Sequence, residues 1–295
     1  MVYYRNDFQQ TSTWNQQMKR IVTIQDISCI GKCSCTVALP VVSTMGIECA
    51  ILPTAVLSTH TEFKNFTFRD LTGDIPGIVE HWKKEKFRFD SIYTGYLGSF
   101  RQLEQVADFI RDFRTETTSV IIDPVLGDYG KLYPGFTEEF AAAMGKLCAQ
   151  ADVIVPNLTE AAYLLGEPYP GEGYDEKTIR ELLKRLSGLG AKNTVLTGVS
   201  FASDQVGVMG YDSEKDQYYS YFHPRLNASF NGTGDLFAST LTGAYVRGCS
   251  LLESLTIAAD FTAQCVELTL QNPDHVFYGV EFERALPSLA KRLGL

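Results

Sequence analysis

Residues 21–52 read IVTIQDISCIGKCSCTVALPVVSTMGIECAIL. The apolar run 21–24 is a short strand ending in Gln25-Asp26. A loop containing glycine and cysteine leads into a helix over about residues 34–45, which Gly46 ends, and residues 48–52 form the next strand. A strand–loop–helix–strand unit of this kind needs a crossover connection, and such connections build parallel sheets.

The same alternation continues outward. Strands are expected at 91–94, at 119–123 (stopped by Pro124), at 153–155 and at 193–196, which Gly198 stops. Helical spacing marks 75–84, 103–113, 138–149, a start at 159–165, and 179–186. Residues 205–211 and 217–222 read as a hairpin about the polar turn 212–216. From residue 235 the chain turns helical, through 245, then 251–268 and 282–293. The polar-aromatic stretch 54–73 has little helical period and reads as loop plus irregular strand, or as a lid. The expected fold is α/β: a three-layer sandwich with a mostly parallel central sheet, helices on both faces and a small edge hairpin. No linker or repeat divides the chain, so residues 20–295 are read as one domain after an extension over 1–19. Ligands of such sheets collect at the carboxyl ends of the strands.

The chain has 295 residues, 45% hydrophobic and 21% charged, which is the composition of a globular protein and not a disordered one. Acidic residues outnumber basic ones, 35 to 26, for a net charge of -9. Such a surface repels a phosphate backbone, so nucleic-acid binding is not expected, while a local amide site can still hold a nucleotide. No apolar run approaches the ~20 residues that span a bilayer. The first twenty residues are polar, and the expected location is the cytoplasm. Seven scattered cysteines read as buried thiols. Cys29, Cys33 and Cys35 invite a metal reading but lack a partner pair at zinc-site spacing.

The strongest chemical motif is Asn231-Gly232-Thr233-Gly234-Asp235 ahead of a helical run. Its glycines let a ligand approach the backbone, and a helix start offers free N–H groups and a positive dipole end. Asp235 then sits where it could take a proton from an attacking hydroxyl, although capping of the helix would also account for it. Asp123, in Asp123-Pro124-Val125-Leu126-Gly127-Asp128, ends one strand, and Pro156-Asn157-Leu158-Thr159-Glu160 follows another. Oxygen ligands on separate strand ends suit Mg²⁺. There is no Gly-x-x-x-x-Gly-Lys-[Ser/Thr], no Gly-x-Gly-x-x-Gly after a strand and no Gly-x-Ser-x-Gly.

These segments, with Leu57-Ser58-Thr59-His60-Thr61 and Thr94-Gly95-Tyr96-Leu97-Gly98-Ser99, resemble the ribokinase superfamily, and within it the pyridoxal kinases. The resemblance runs from about Arg20 to the C-terminus. It implies a ribokinase-like fold, a homodimer, and phosphorylation by ATP of the 5′-hydroxymethyl group of a vitamin B6 vitamer, a small heteroaromatic alcohol. It also implies Mg²⁺, and leaves open a monovalent cation. Carried across, Asp235 is the base, and the amides of Gly232, Thr233 and Gly234 form the anion hole. Asp123, Asp128 and Glu160, with Asn157, hold Mg²⁺ and the ATP phosphates directly or through water. Thr197 and Gly198 touch the nucleotide. His60, Thr61 and Tyr96 surround the pyridine ring, with Cys33 against one face. His60 could equally be a structural histidine, Tyr96 a packing residue and Thr197 a strand end. Asp26 departs from the serine usual in pyridoxal kinases, and it is expected to favour a ring that presents a donor. The thiamin-pathway stretch Gly-Ser-Asp-x-Ser-Gly-Gly-Ala-Gly is absent, which argues against a hydroxymethylpyrimidine kinase. A non-catalytic nucleotide- or B6-binding regulator is the distant rival.

Overall fold

The computed structural model of the protein describes residues 18–226 and 228–295. Of the extension read over residues 1–19, only Met18 and Lys19 fall within the described residues. The first half of the chain forms β1 (Arg20–Ser28), α1 (Cys35–Thr44), β2 (Glu48–Leu57), β3 (Phe68–Asp70), α2 (Ile75–Lys84), β4 (Ser91–Thr94), α3 (Phe100–Phe113) and β5 (Ser119–Ile122). Next come a two-strand ribbon, β6 (Gly127–Asp128) and β7 (Lys131–Leu132), then α4 (Glu138–Cys148), β8 (Val153–Ile154), α5 (Leu158–Leu165) and α6 (Glu176–Ser187). The chain finishes with β9 (Asn193–Val199), β10 (Gln205–Asp212), β11 (Gln217–Pro224), α7 (Thr233–Val246), α8 (Leu251–Leu270), a 3-10 turn (Phe282–Arg284) and α9 (Leu286–Arg292).

Nine strands form one sheet in the order β11-β10-β9-β8-β5-β4-β1-β2-β3. The six from β9 to β2 are parallel; β10 pairs antiparallel with β9 and with the edge strand β11, and β3 pairs antiparallel with β2 at the other edge. Central strands buried on both faces explain the unbroken apolar runs, because helices cover both sides of a parallel sheet. Val22, Ile24, Ile92, Val120, Ile122 and Leu196 face a core shared with α3 to α6. Ile21, Tyr93, Ile121, Val153 and Val195 face the opposite core, filled by α1, α7 and α8. Each fully buried Ile or Leu contributes about 1.5–3 kcal/mol, so alternation along every strand locks the two layers in register.

The edges depart from the sequence reading. β1 runs on to Ser28 instead of ending at Gln25-Asp26. β2 continues through Pro53 to Leu57, taking up the start of the expected loop, and β3 supplies its irregular strand. Between Gln25 and Ile27 the β1–β2 register slips, placing Asp26 opposite Thr54 and Ala55. Such an irregularity re-aims a side chain, and it also lets a proline sit in the strand. β9 passes through Gly198, which adopts φ 72° inside the strand instead of stopping it. α7 begins at Thr233, two residues before the expected start.

β1 pairs with β2 on one side and β4 on the other, so the chain switches between the halves of the sheet there. A crevice opens at the carboxyl ends of strands flanking such a switch point. Asp26 and the Gly95-Tyr96 turn stand at its rim.

Candidate active site

Five helices begin with a side-chain cap: Ser99 on α3, Thr137 on α4, Asn157 on α5, Asp175 on α6 and Ser250 on α8. α1 and α7 do not. The N-cap of α7 is Gly232 at φ 74°, and a Cβ there would overlap the Lys32 carbonyl oxygen just ahead of α1. Only glycine permits both that backbone conformation and that contact. Two helix starts without a side-chain cap therefore meet; at α1 the Thr36 and Val37 amides turn back onto the Cys33 and Ser34 carbonyls, whereas at α7 the Thr233, Gly234 and Asp235 amides have no backbone partner among the described residues and lie at a positive dipole end. Around the missing Cβ of Gly234 there is nothing within 4 Å, which leaves the approach to the Thr233, Gly234 and Asp235 amides open.

Asp235 lies in the first turn of α7, and because Gly232 holds the cap position the simple capping explanation fails. Its carboxyl is raised to about 7 by burial and by the charge of Asp26, while the Ser34 backbone N–H opposes the shift. A carboxyl near neutrality is suited to accept a proton at physiological pH.

Asp123 follows β5 on a strained turn. Val125 takes φ 37°, a conformation that costs a β-branched residue about 1–3 kcal/mol, and its amide bonds the Asp123 carboxyl. Burial, then the charges of Glu160 and Asp235, push Asp123 well above the ordinary carboxylate range. Glu160 is likewise raised to about 7, mainly by burial. Its two oxygens accept from the amides of Leu126 (2.9 Å) and Asn157 (2.8 Å), the second closing a capping box on α5. Asn157 accepts from the Glu160 amide and donates to the Gly127 carbonyl at 2.9 Å, tying α5 to the β6–β7 ribbon. Both ends of the Asn157 amide are thus occupied in positioning. Asp128 is exposed on that ribbon and accepts from the Tyr129 amide. Thr197 bridges to Asn157 across the strand ends, with Gly198 exposed beside it.

None of Asp123, Asp128, Glu160 and Asp235 belongs to an ion pair among the described residues. Crowded carboxyls without a counter-charge favour a divalent cation, so the residues fit Mg²⁺. No three His, Cys, Asp or Glu side chains among the described residues enclose a metal by themselves. Mg²⁺ characteristically takes one or two carboxylates and completes its shell with water and phosphate oxygens. Of the two buried strand-end carboxyls Asp123 is the less occupied, with one backbone donor.

The other side of the crevice gathers Asp26, His60, Tyr96 and Cys33. Asp26 is 6% exposed; burial raises its pKa, against which Ser34 and Ser28 offer hydroxyls, the latter at 3.1 Å. His60 accepts from the Glu62 amide at Nδ1 (3.1 Å), which puts its proton on Nε2. That Nε2 is buried and has no partner among the described residues. A buried donor without an acceptor is costly, and a ligand atom can relieve it. Tyr96 is half-buried against Phe136, with ring centroids 5.7 Å apart, and its phenol is raised by burial and by Asp26. Cys33 is pushed up to about 12 by burial and by Asp235 and Asp26, so it serves as an apolar wall and not a thiolate. Thr61 is exposed and shares none of these hydrogen bonds.

Sequence reasoning missed an aromatic wall. Phe63 packs on His60 (5.5 Å), on Phe277 (5.0 Å) and on Tyr278 (5.4 Å). Lys32 bonds Glu283 and lies under Gly279, fastening the C-terminal segment to the loop before α1. Residues more than 200 apart meet here, and nothing local announces it. Ser34 was missed as well, because its failure to cap α1 shows only in the structure.

A three-layer sheet whose switch point faces an uncapped Gly-Thr-Gly-Asp helix defines a ribokinase-like kinase. A profile of the phosphomethylpyrimidine kinase family matches residues 78–278. The fold superposes on a Bacteroides thetaiotaomicron protein provisionally named a phosphomethylpyrimidine kinase, with 40% identity, 94% and 96% of the two chains covered and a TM-score of 0.90. A second crystal form of that protein is a structure with pyridoxal. Pyridoxal kinase from Lactobacillus plantarum shares 33% identity over 94% and 98% of the chains, with a TM-score of 0.86. Pyridoxal kinase of Dictyostelium discoideum is 26% identical over 77% of this chain and 78% of its own. The chain belongs to the phosphomethylpyrimidine kinase family, as a pyridoxal kinase-like member of the ribokinase superfamily.

Proposed function

We propose that this protein transfers the γ-phosphoryl group of ATP to the 5′-hydroxymethyl group of a vitamin B6 vitamer. The observation that carries the reading is the open anion site of α7, with Asp235 in its first turn, beside a crevice holding the unpartnered His60 Nε2–H and the buried Asp26. In the productive geometry the vitamer hydroxyl donates its proton to Asp235 as its oxygen bonds the γ-phosphorus. The bond from that phosphorus to the bridging oxygen breaks, and ADP leaves. The amides of the first turn of α7 hold the equatorial oxygens while charge builds on them. Bound Mg²⁺ supplies neutralisation of phosphate charge, and Asp123 would hold it, with Glu160 and Asp128 adding negative potential nearby. Fixing both substrates in line supplies much of the rate, as expected when little covalent work falls to the protein.

Three outcomes follow. Because Asp235 must be ionised to accept the proton, kcat/KM is expected to fall about tenfold per unit as pH drops below about 7; a flat profile from pH 5 to 8 removes the base. His60→Asn is expected to raise KM for the vitamer about tenfold with KM for ATP unchanged, since only the ring loses a donor. Asp123→Asn is expected to raise the Mg²⁺ concentration for half-maximal rate about tenfold.

The rival substrate is hydroxymethylpyrimidine, since the family's name points to methylpyrimidine phosphorylation. A coupled ATP assay against pyridoxal, pyridoxamine, pyridoxine and hydroxymethylpyrimidine, with and without K⁺, decides between them. The B6 reading requires kcat/KM for at least one vitamer to exceed that for the pyrimidine at least about tenfold. The reverse order reassigns the substrate, and no turnover of any alcohol leaves a binding protein. No helix among the described residues is long and apolar enough to cross a membrane. The reading entails a cytoplasmic homodimer, and a single-chain mass by light scattering would overturn the dimer.

A further inference from the structure

Lys32 belongs to the loop ahead of α1, and separate segments of the chain converge on it. Its ammonium bonds both oxygens of Glu283, at 2.7 and 2.6 Å, and lies 5.2 Å from the centre of the Phe282 ring. Its stem carries the backbone at Gly279, where a Cβ would overlap the lysine's own. Its carbonyl oxygen is the atom against which Gly232 packs. The lysine side chain is 14% exposed and that of Glu283 is 54% exposed. An ion pair with so open an acid holds little alone, but here charge, ring and covered stem act on one side chain.

The same loop frames His60. The Ile30 carbonyl accepts from the His60 amide at 3.1 Å, and a Cβ at Gly31 would lie 3.2 Å from the His60 Cβ. The imidazole is closed in by the rings of Phe63 at 5.5 Å and Tyr278 at 6.5 Å, both edge-on. Tyr278 lies in the stretch 271–281, which has no helix or strand of its own. That stretch is tied at its base, where Asn272 donates to the Glu281 carboxylate and the Glu281 amide donates to the Thr269 hydroxyl at 2.8 Å. Beyond Tyr278 it rests on the Lys32 stem. We propose that Lys32 is a positioning residue: its latch to Glu283 and Phe282 seats residues 277–279 against the His60 ring, and so fixes the direction of the Nε2–H. The inference deepens the B6 kinase reading, which takes that N–H as a donor to the vitamer ring. Because the Lys32 carbonyl also abuts Gly232, one residue keeps the aromatic wall and the start of α7 in common register.

The test reads His60 directly. Lys32→Met keeps the stem and the backbone carbonyl and loses the charge. In the ligand-free protein, diethyl pyrocarbonate should modify His60 about fivefold faster in this variant than in wild type, because the wall opens more often. Peptide mass spectrometry locates the modification, with exposed His81 as internal reference. Lys32→Arg should restore protection to within about twofold of wild type, since a guanidinium serves the same carboxylate and ring. In a Tyr278→Ala background Lys32→Met should add less than about twofold, because the latch acts through the wall. Steady-state kinetics of Lys32→Met should show KM for pyridoxal raised about fivefold, with kcat and KM for ATP within about twofold of wild type. His60 modified at the wild-type rate in Lys32→Met, an unmoved KM for pyridoxal, or a full effect persisting beside Tyr278→Ala overturns the proposal. Faster modification in a chain whose wild type turns over no vitamer leaves the latch standing and removes the B6 reading.

Discussion

Replacing Asp235 with asparagine is expected to lower kcat by about 10²–10³-fold while the protein stays folded. The amide retains an oxygen to accept from the Ser34 N–H, so the first turn of α7 keeps its place. What it loses is the ability to take a proton. Stability should move the other way. The folded-state pKa of Asp235 is raised to about 7 from an ordinary 3.8, so ionisation progressively destabilises the fold as pH rises between those values. Asparagine carries no charge and escapes that cost. Thermal unfolding of the ligand-free variant at pH 8 is therefore expected at or above the wild-type Tm, with the gap shrinking as the pH is lowered to 5. Turnover within tenfold of wild type would remove Asp235 from the mechanism, and a lowered Tm at pH 8 would contradict the charge argument.

Gly232→Ala is expected to lower kcat/KM by about 10²-fold and to destabilise the fold by about 1–3 kcal/mol. The new methyl would overlap the Lys32 carbonyl oxygen, and φ 74° is unfavourable for alanine, so the two helix starts must separate. The neighbouring glycine supplies the contrast. Gly234→Ala meets no protein atom within 4 Å and replaces a poor helix former with a good one. Its Tm should be unchanged or higher, whereas its kcat/KM falls, because the methyl occupies space that the transferring phosphoryl needs. Kinetics and thermal melts of the pair distinguish a packing glycine from a clearance glycine. Equal stability losses in both would dissolve that distinction.

The parts of the site legible in the sequence are those built from contiguous residues. A helix start preceded by glycines makes an anion site from its own amides, so Gly232-Thr233-Gly234-Asp235 could be read without knowing what faces it. Asp123 and Glu160 were readable for a similar reason, since each follows an apolar run too short for anything but a strand. Their division of labour was not readable. Glu160 spends both oxygens on the amides of Leu126 and Asn157, whereas Asp123 retains free capacity, and that difference depends on the strained turn at Val125. Cys33 shows the same limit: the resemblance implied a place against the ring, but only its surroundings reveal a thiol held protonated.

Periodicity alone determined the parallel sheet, the helices on its two faces and the edge hairpin, because burial on both sides of a strand and on one stripe of a helix leaves a local imprint on residue order. The Gly-Thr-Gly-Asp motif ahead of a helical run added an expected anion site. The tertiary structure decided the rest: the register slip that turns Asp26 inward, the aromatic wall of Phe63, Phe277 and Tyr278, and the corner at Ser34 where α1 meets α7. Those features arise from contacts between segments far apart in the chain and from backbone angles imposed by them, and neither leaves a trace in the local pattern of residues.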